Sequence, residues 1–209
     1  MEDRLDRATR HLPPDYVQIG KLDLIQNKRL LILMNIVGLA LVAGFGWLFS
    51  SSAFWLHPEA RRWFWRLSIN NWGELWGFMA ALLGVMAVVV ALHEAAHGLF
   101  FWLFTRSRPK FEFKIIYASA SAPGWYLPWR QYLVIGLAPL VLLSLFGILA
   151  QWLAPLNWLQ VVTLFLVMNA SGAVGDLMVF VWLLFQPRSS FALDDATCVM
   201  LFAPHTVQK

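Results

Sequence analysis

The chain has 209 residues, 59% of them hydrophobic and 13% charged, with twelve Trp and sixteen Phe. A soluble domain of that length cannot hide so much apolar surface, which excludes an ordinary water-soluble enzyme and points to a membrane protein. The net charge of +4 does not indicate a nucleic-acid partner, because the basic residues cluster at the ends of apolar runs, and the single Cys198 excludes an internal disulfide or a Cys-based zinc site.

In chain order, residues 1–29 form a charged N-terminal segment with no short apolar stretch ahead of a small-residue cleavage site, so no signal peptide is expected. About 20 apolar residues cross the hydrocarbon core of a bilayer. Four segments reach that length: Leu30 to Phe54, Leu75 to Phe104, Tyr132 to Ala154 and Trp158 to Phe185. They define one transmembrane domain, 30–185, followed by a tail, 186–209. Placed on alternate sides, thirteen Lys and Arg residues fall with the termini and the second loop and three fall opposite, which predicts that both termini are cytoplasmic. Trp55, Trp63, Trp65, Trp72 and Trp76 then form an outer interfacial belt. In the second loop "KFEFKIIY" alternates, with Phe111, Phe113, Ile115 and Tyr117 on one side and Lys110, Glu112 and Lys114 on the other. The following "ASASAPGWYLP" reads as a returning strand or a re-entrant loop, with a turn at Pro123-Gly124. The predicted fold class is an all-α membrane protein of four transmembrane helices, with a short cytoplasmic β-hairpin or re-entrant loop between helices two and three.

The second span carries "HEAAH", which fits H-E-x-x-H. Ionisable groups inside a span are costly and mark function. His93 and His97 lie one helical turn apart, so both can ligate a zinc ion, and Glu94 is placed to take a proton from the water that such an ion activates. A catalytic zinc needs a third protein ligand. His97 lies about 14 Å below the cytoplasmic end of its helix at 1.5 Å per residue, and Asp176, in the fourth span, lies about 15 Å deep by the same rise. No other acidic or imidazole group reaches that level, so Asp176 is the predicted third ligand. Asn169, Gly172 and Asp176 share a stripe, and Asn169 is a candidate either to hold a substrate carbonyl or to bridge helices. Pro139 is expected to kink the third helix beside the metal.

These residues in this order resemble the intramembrane zinc metalloproteases of the site-2 protease type. More closely, the chain is similar, over roughly Asp15 to Phe185, to the small bacterial membrane proteins called putative zincin peptidases, whose later motif reads like "NASGAVGD". It departs from the site-2 proteases at the third ligand, where L-D-G is replaced by "VGDLM". The resemblance implies zinc on His93, His97 and Asp176, Glu94 as base, Asn169 helping to hold substrate, and cleavage within or near a membrane helix. The expected partners are the lipid bilayer and a membrane-protein or peptide substrate, in a bacterial cell membrane. An edge strand can hold an unwound substrate by backbone pairing, which makes Ile115 and Ile116 candidate substrate-binding residues. Two other classes stay open at this point: a non-catalytic membrane scaffold with a vestigial metal site, and a zinc transporter.

Overall fold

The computed structural model describes residues 7–24, 26–66, 68–114, 117–195 and 198–205. A first strand, β1 (Tyr16–Asp23), leads into the long helix α1 (Lys28–Leu56), which starts where Asn27 accepts the backbone N–H of Leu30 at 3.2 Å. Helix α2 (Trp72–Thr105) begins on a reciprocal cap: the Asn71 side chain accepts from Glu74 N–H at 3.0 Å, and the Glu74 carboxylate reaches back to Asn70 N–H at 2.7 Å. It ends at Arg106, whose φ of 54° turns the chain out of the helix. A hairpin of β2 (Lys110–Phe113) and β3 (Ala118–Ser121) follows, then a turn at Gly124 (φ 74°), β4 (Tyr126–Pro128) and α3 (Trp129–Leu153). The chain finishes with α4 (Leu159–Gly172), α5 (Val174–Leu184), β5 (Phe191–Asp195) and β6 (Cys198–Pro204).

Three helices, α1, α2 and α3, are each long and apolar enough to cross a membrane, and the stretch containing α4 and α5 qualifies as a fourth if its two parts count as one span. The two parts are bent by 41° at Ala173. The reason is local: glycines at 172 and 175 weaken the helix, and the Ser171 hydroxyl bonds back to the Val167 carbonyl at 2.7 Å. The fourth span expected from the sequence is thus built from two helices joined at a bend.

The expectation of an all-α fold beyond one hairpin is corrected. The hairpin exists, with Phe111 opposite Ala120 and Glu112 opposite Ser119, but a second antiparallel sheet of order β1-β6-β5-β4 joins three regions far apart in sequence. Its register runs from Tyr16 opposite Pro204 to Asp23 opposite Cys198, and Leu127 sits opposite Ala192. Both tails thus carry strands, and β6 alternates, with Val199, Leu201 and Ala203 buried. Because β1 precedes α1, β4 precedes α3 and β5 follows α5, the sheet places these segments at one end of the helices.

The main core lies where this sheet meets the helices. Phe101, Leu127, Tyr132, Ile135, Leu183 and Leu201 are packed together, and burial of each large side chain stabilises by about 1.5–3 kcal/mol. At the other end the helices are held by a polar cluster. Gln151 is fully buried, accepts from Ser52 Oγ at 2.7 Å, and donates to the Phe49 carbonyl at 3.1 Å and Thr163 Oγ1 at 2.8 Å. There α3 and α4 approach so closely that a Cβ at Gly147 would meet the Leu166 side chain.

Candidate metal centre

His93 and His97, at i and i+4 on α2, turn their rings to the same side, with centroids 5.0 Å apart. Asp176 reaches them from the first turn of α5, where the helix dipole favours a carboxylate. The Nε2 atom of His93 lies 3.0 Å from one carboxylate oxygen of Asp176, and the Nε2 atom of His97 lies 3.4 Å from the other. His93, His97 and Asp176 thus lie together.

The outer nitrogens fix the tautomers. His97 Nδ1 is 2.9 Å from the Ile135 carbonyl, which can only accept, so Nδ1 carries the proton. Asn169 Nδ2 donates to the Pro139 carbonyl at 3.3 Å, which turns its Oδ1 toward His93 Nδ1 at 3.1 Å, so that nitrogen also donates. Both Nε2 atoms then present lone pairs toward Asp176. Two lone pairs and a carboxylate aimed at one point repel unless a cation lies between them. A proton can bridge one such contact, whereas a metal ion satisfies all three groups. The spacing fits as well: donors around a tetrahedral zinc, at bond lengths of about 2.0–2.1 Å, sit about 3.3 Å apart. Among the described residues, His93, His97 and Asp176 form a group suited to a metal, with ligand atoms within 4.8 Å of one another.

Glu94 is buried, 8% exposed, and lines the same cavity of about 400 Å³ as the three donors. The backbone amide of Ala120, on β3, faces its carboxylate. That contact shows which edge of the hairpin looks into the site. Ala118 and Ala120 direct their backbone groups away from β2, and residues 117–120 line the cavity. Gly98, next to His97, makes the approach possible, because a Cβ there would run into the Phe111 ring of β2. Outside the helices, Lys110 donates to Glu112 at 2.6 Å and holds its carboxyl below the usual range.

Other candidates fall elsewhere. Asn169 is fully buried and is not among the residues that line the cavity. Ile115 and Ile116 lie outside the described residues. Two cavity residues escaped the reading of the sequence: Tyr132, on α3, donates to Asp194 of β5 at 2.7 Å and closes the cavity from the sheet side. Tyr132 lies in an apolar run and Asp194 in a tail, and only the sheet joins them.

Residues 86–191 match the family described as Putative zincin peptidase, a stretch that contains the H-E-x-x-H motif, the hairpin, Asn169 and Asp176. No curated protein and no solved structure matches the chain. With half of its length matched, donor set included, the chain belongs to the Putative zincin peptidase family.

Proposed function

We propose that this protein is a membrane-embedded, zinc-dependent endopeptidase that hydrolyses peptide bonds within or near transmembrane segments, with Glu94 as general base. The observation that carries this reading is the convergence of both Nε2 lone pairs and the Asp176 carboxylate beside a buried glutamate in a cavity between apolar helices. A zinc ion held by His93, His97 and Asp176 would supply Lewis-acid activation of a water and of the scissile carbonyl. Glu94 takes the proton of the attacking water on its carboxylate and delivers it to the leaving amine. The Ala120 amide keeps that carboxylate turned toward the cavity.

A peptide bond inside a helix is shielded by its own hydrogen bonds, so the substrate must be unwound before attack. The free edge of β3 provides backbone partners for the extended form, and the side chains of "ASAS" are small enough to let it approach. This moves the substrate-pairing role from Ile115 and Ile116 to Ala118 and Ala120. The helices favour an integral membrane location, and the positive-inside count favours a cytoplasmic sheet and cytoplasmic termini. A transporter would need donors at several depths, whereas the described residues offer one such group.

The test is zinc analysis of protein purified into lipid nanodiscs, run beside cleavage of a peptide with one membrane-spanning segment. Wild type should carry one zinc per chain and cleave, Asp176→Ala should lose the zinc, and chelation should stop cleavage. Wild type that takes up no zinc, or that cleaves equally well after chelation, would sink the reading.

A further inference from the structure

We propose that Pro139 makes α3 the outer support of the metal centre, freeing one carbonyl to orient His97 and presenting another to the amide that orients His93. In an uninterrupted α-helix the carbonyl of residue 135 accepts the N–H of residue 139. Proline has no N–H, so the Ile135 carbonyl has no α-helical donor. It is also shut off from water, since Ile135 is only 2% exposed. The group that takes the vacant position is His97 Nδ1, at 2.9 Å. One residue type at one position thereby creates an acceptor at the level of a metal ligand.

The second half of the support runs through the carbonyl of Pro139 itself. It receives Asn169 Nδ2 at 3.3 Å, which orients the amide so that Oδ1 accepts from His93 Nδ1 at 3.1 Å. Both ends of the Asn169 amide are engaged, and the residue has no exposed surface. Asn169 is thus a positioning residue for His93, not a group that holds substrate. Each histidine donates from Nδ1 to a fixed oxygen and keeps Nε2 for the metal, and the oxygen that faces His97 is the one Pro139 leaves without a helical donor. Such partners fix ring orientation and raise the basicity of the ligand nitrogen.

This inference rests on the zinc-peptidase reading, and the experiment separates the two. Pro139→Ala restores an N–H that competes with His97 for the Ile135 carbonyl, and Asn169→Leu removes the acceptor for His93. The readouts are the zinc dissociation constant, by competition with a chromophoric chelator, and the melting temperature of the metal-free protein. Both variants should bind zinc more weakly by about 10- to 100-fold. Pro139→Ala should melt at or above wild type when metal-free, because alanine is the better helix former. A residue that only shapes the helix would not move affinity and stability in opposite directions. Gln151→Leu, as control, alters α3 far from the three donors and should keep wild-type affinity. Wild-type affinity in either test variant overturns the inference, as does a Pro139→Ala protein that loses zinc only together with its melting temperature. Wild type that binds no zinc overturns the zinc reading itself, and this inference with it.

Discussion

Gln151→Leu tests whether the fold and the metal centre can be perturbed separately. Leucine is close to glutamine in size, so the change removes hydrogen bonds without opening a large cavity. Three side-chain bonds are lost, to Ser52 Oγ, the Phe49 carbonyl and Thr163 Oγ1. Two of the abandoned groups have other partners in reach: the single Ser52 hydroxyl proton can turn to the Phe49 carbonyl at 2.8 Å, and Thr163 Oγ1 donates to the Leu159 carbonyl at 2.8 Å. The full cost of orphaned buried groups therefore does not apply. Interhelical side-chain bonds in membranes average about 0.6 kcal/mol each, which gives a loss of about 2 kcal/mol for the three. The metal centre should not feel it, because Gln151 lies sixteen residues along α3 from Ile135, about 24 Å at the helical rise. Equilibrium unfolding in mixed detergent micelles, paired with a zinc competition titration, measures both quantities. A stability loss above about 4 kcal/mol, no loss at all, or zinc affinity reduced tenfold would refute the separation of a structural end at Gln151 from the end that carries the metal centre.

Glu94→Gln keeps an oxygen for the Ala120 amide and removes only the proton acceptor, so cleavage should fall by about 10²- to 10⁴-fold with zinc content and melting temperature unchanged. A rate within threefold of wild type would remove Glu94 from the chemistry. Ala118→Pro deletes a donor on the free edge of β3 and should abolish cleavage with zinc retained, whereas Ser119→Ala, which leaves the backbone intact, should cleave nearly as fast as wild type. Equal activity of the two would dismiss the pairing edge. Cys198 is buried and burial pushes its thiol up, so maleimide should label it slowly in the native protein and quickly after denaturation. That low background permits a topology scan in which a cysteine at the exposed Arg62 is labelled from outside the cell, and labelling from the cytoplasmic side would reverse the predicted orientation.

What the sequence disclosed was set by local physics. Span length fixed the helices, the i, i+4 spacing of His93 and His97 fixed one face, and a rise of 1.5 Å per residue carried Asp176 to their level. The bend at Ala173 was half visible in the glycines of "NASGAVGD", but a stripe of small residues reads equally well as close helix packing. The four-stranded sheet was not visible, because β4 has only three residues and β1 finds its partner near the other end of the chain. The hairpin showed itself in the alternation of "KFEFKIIY", but which strand faces the site depends on Phe111 lying over Gly98, a contact between elements that no periodicity encodes. The stripe that Asn169 shares with Asp176 is legible in the sequence, but its role is not, since a side chain's two hydrogen-bond partners are a property of three helices together.

The strand order β1-β6-β5-β4 also sets a timetable. As the chain is synthesised β1 is made before the other strands, yet its neighbour in the sheet is β6, which follows the last helix. Until then the β5 position that holds Tyr132 is missing as well, so the inner wall of the cavity cannot close. A nascent chain can thread its helices while the cleft stays incomplete, and the long-range pairing of β1 with β6 is intrinsically slow to find. The order of synthesis thus leaves the sheet side of the cavity open until the last two strands are made.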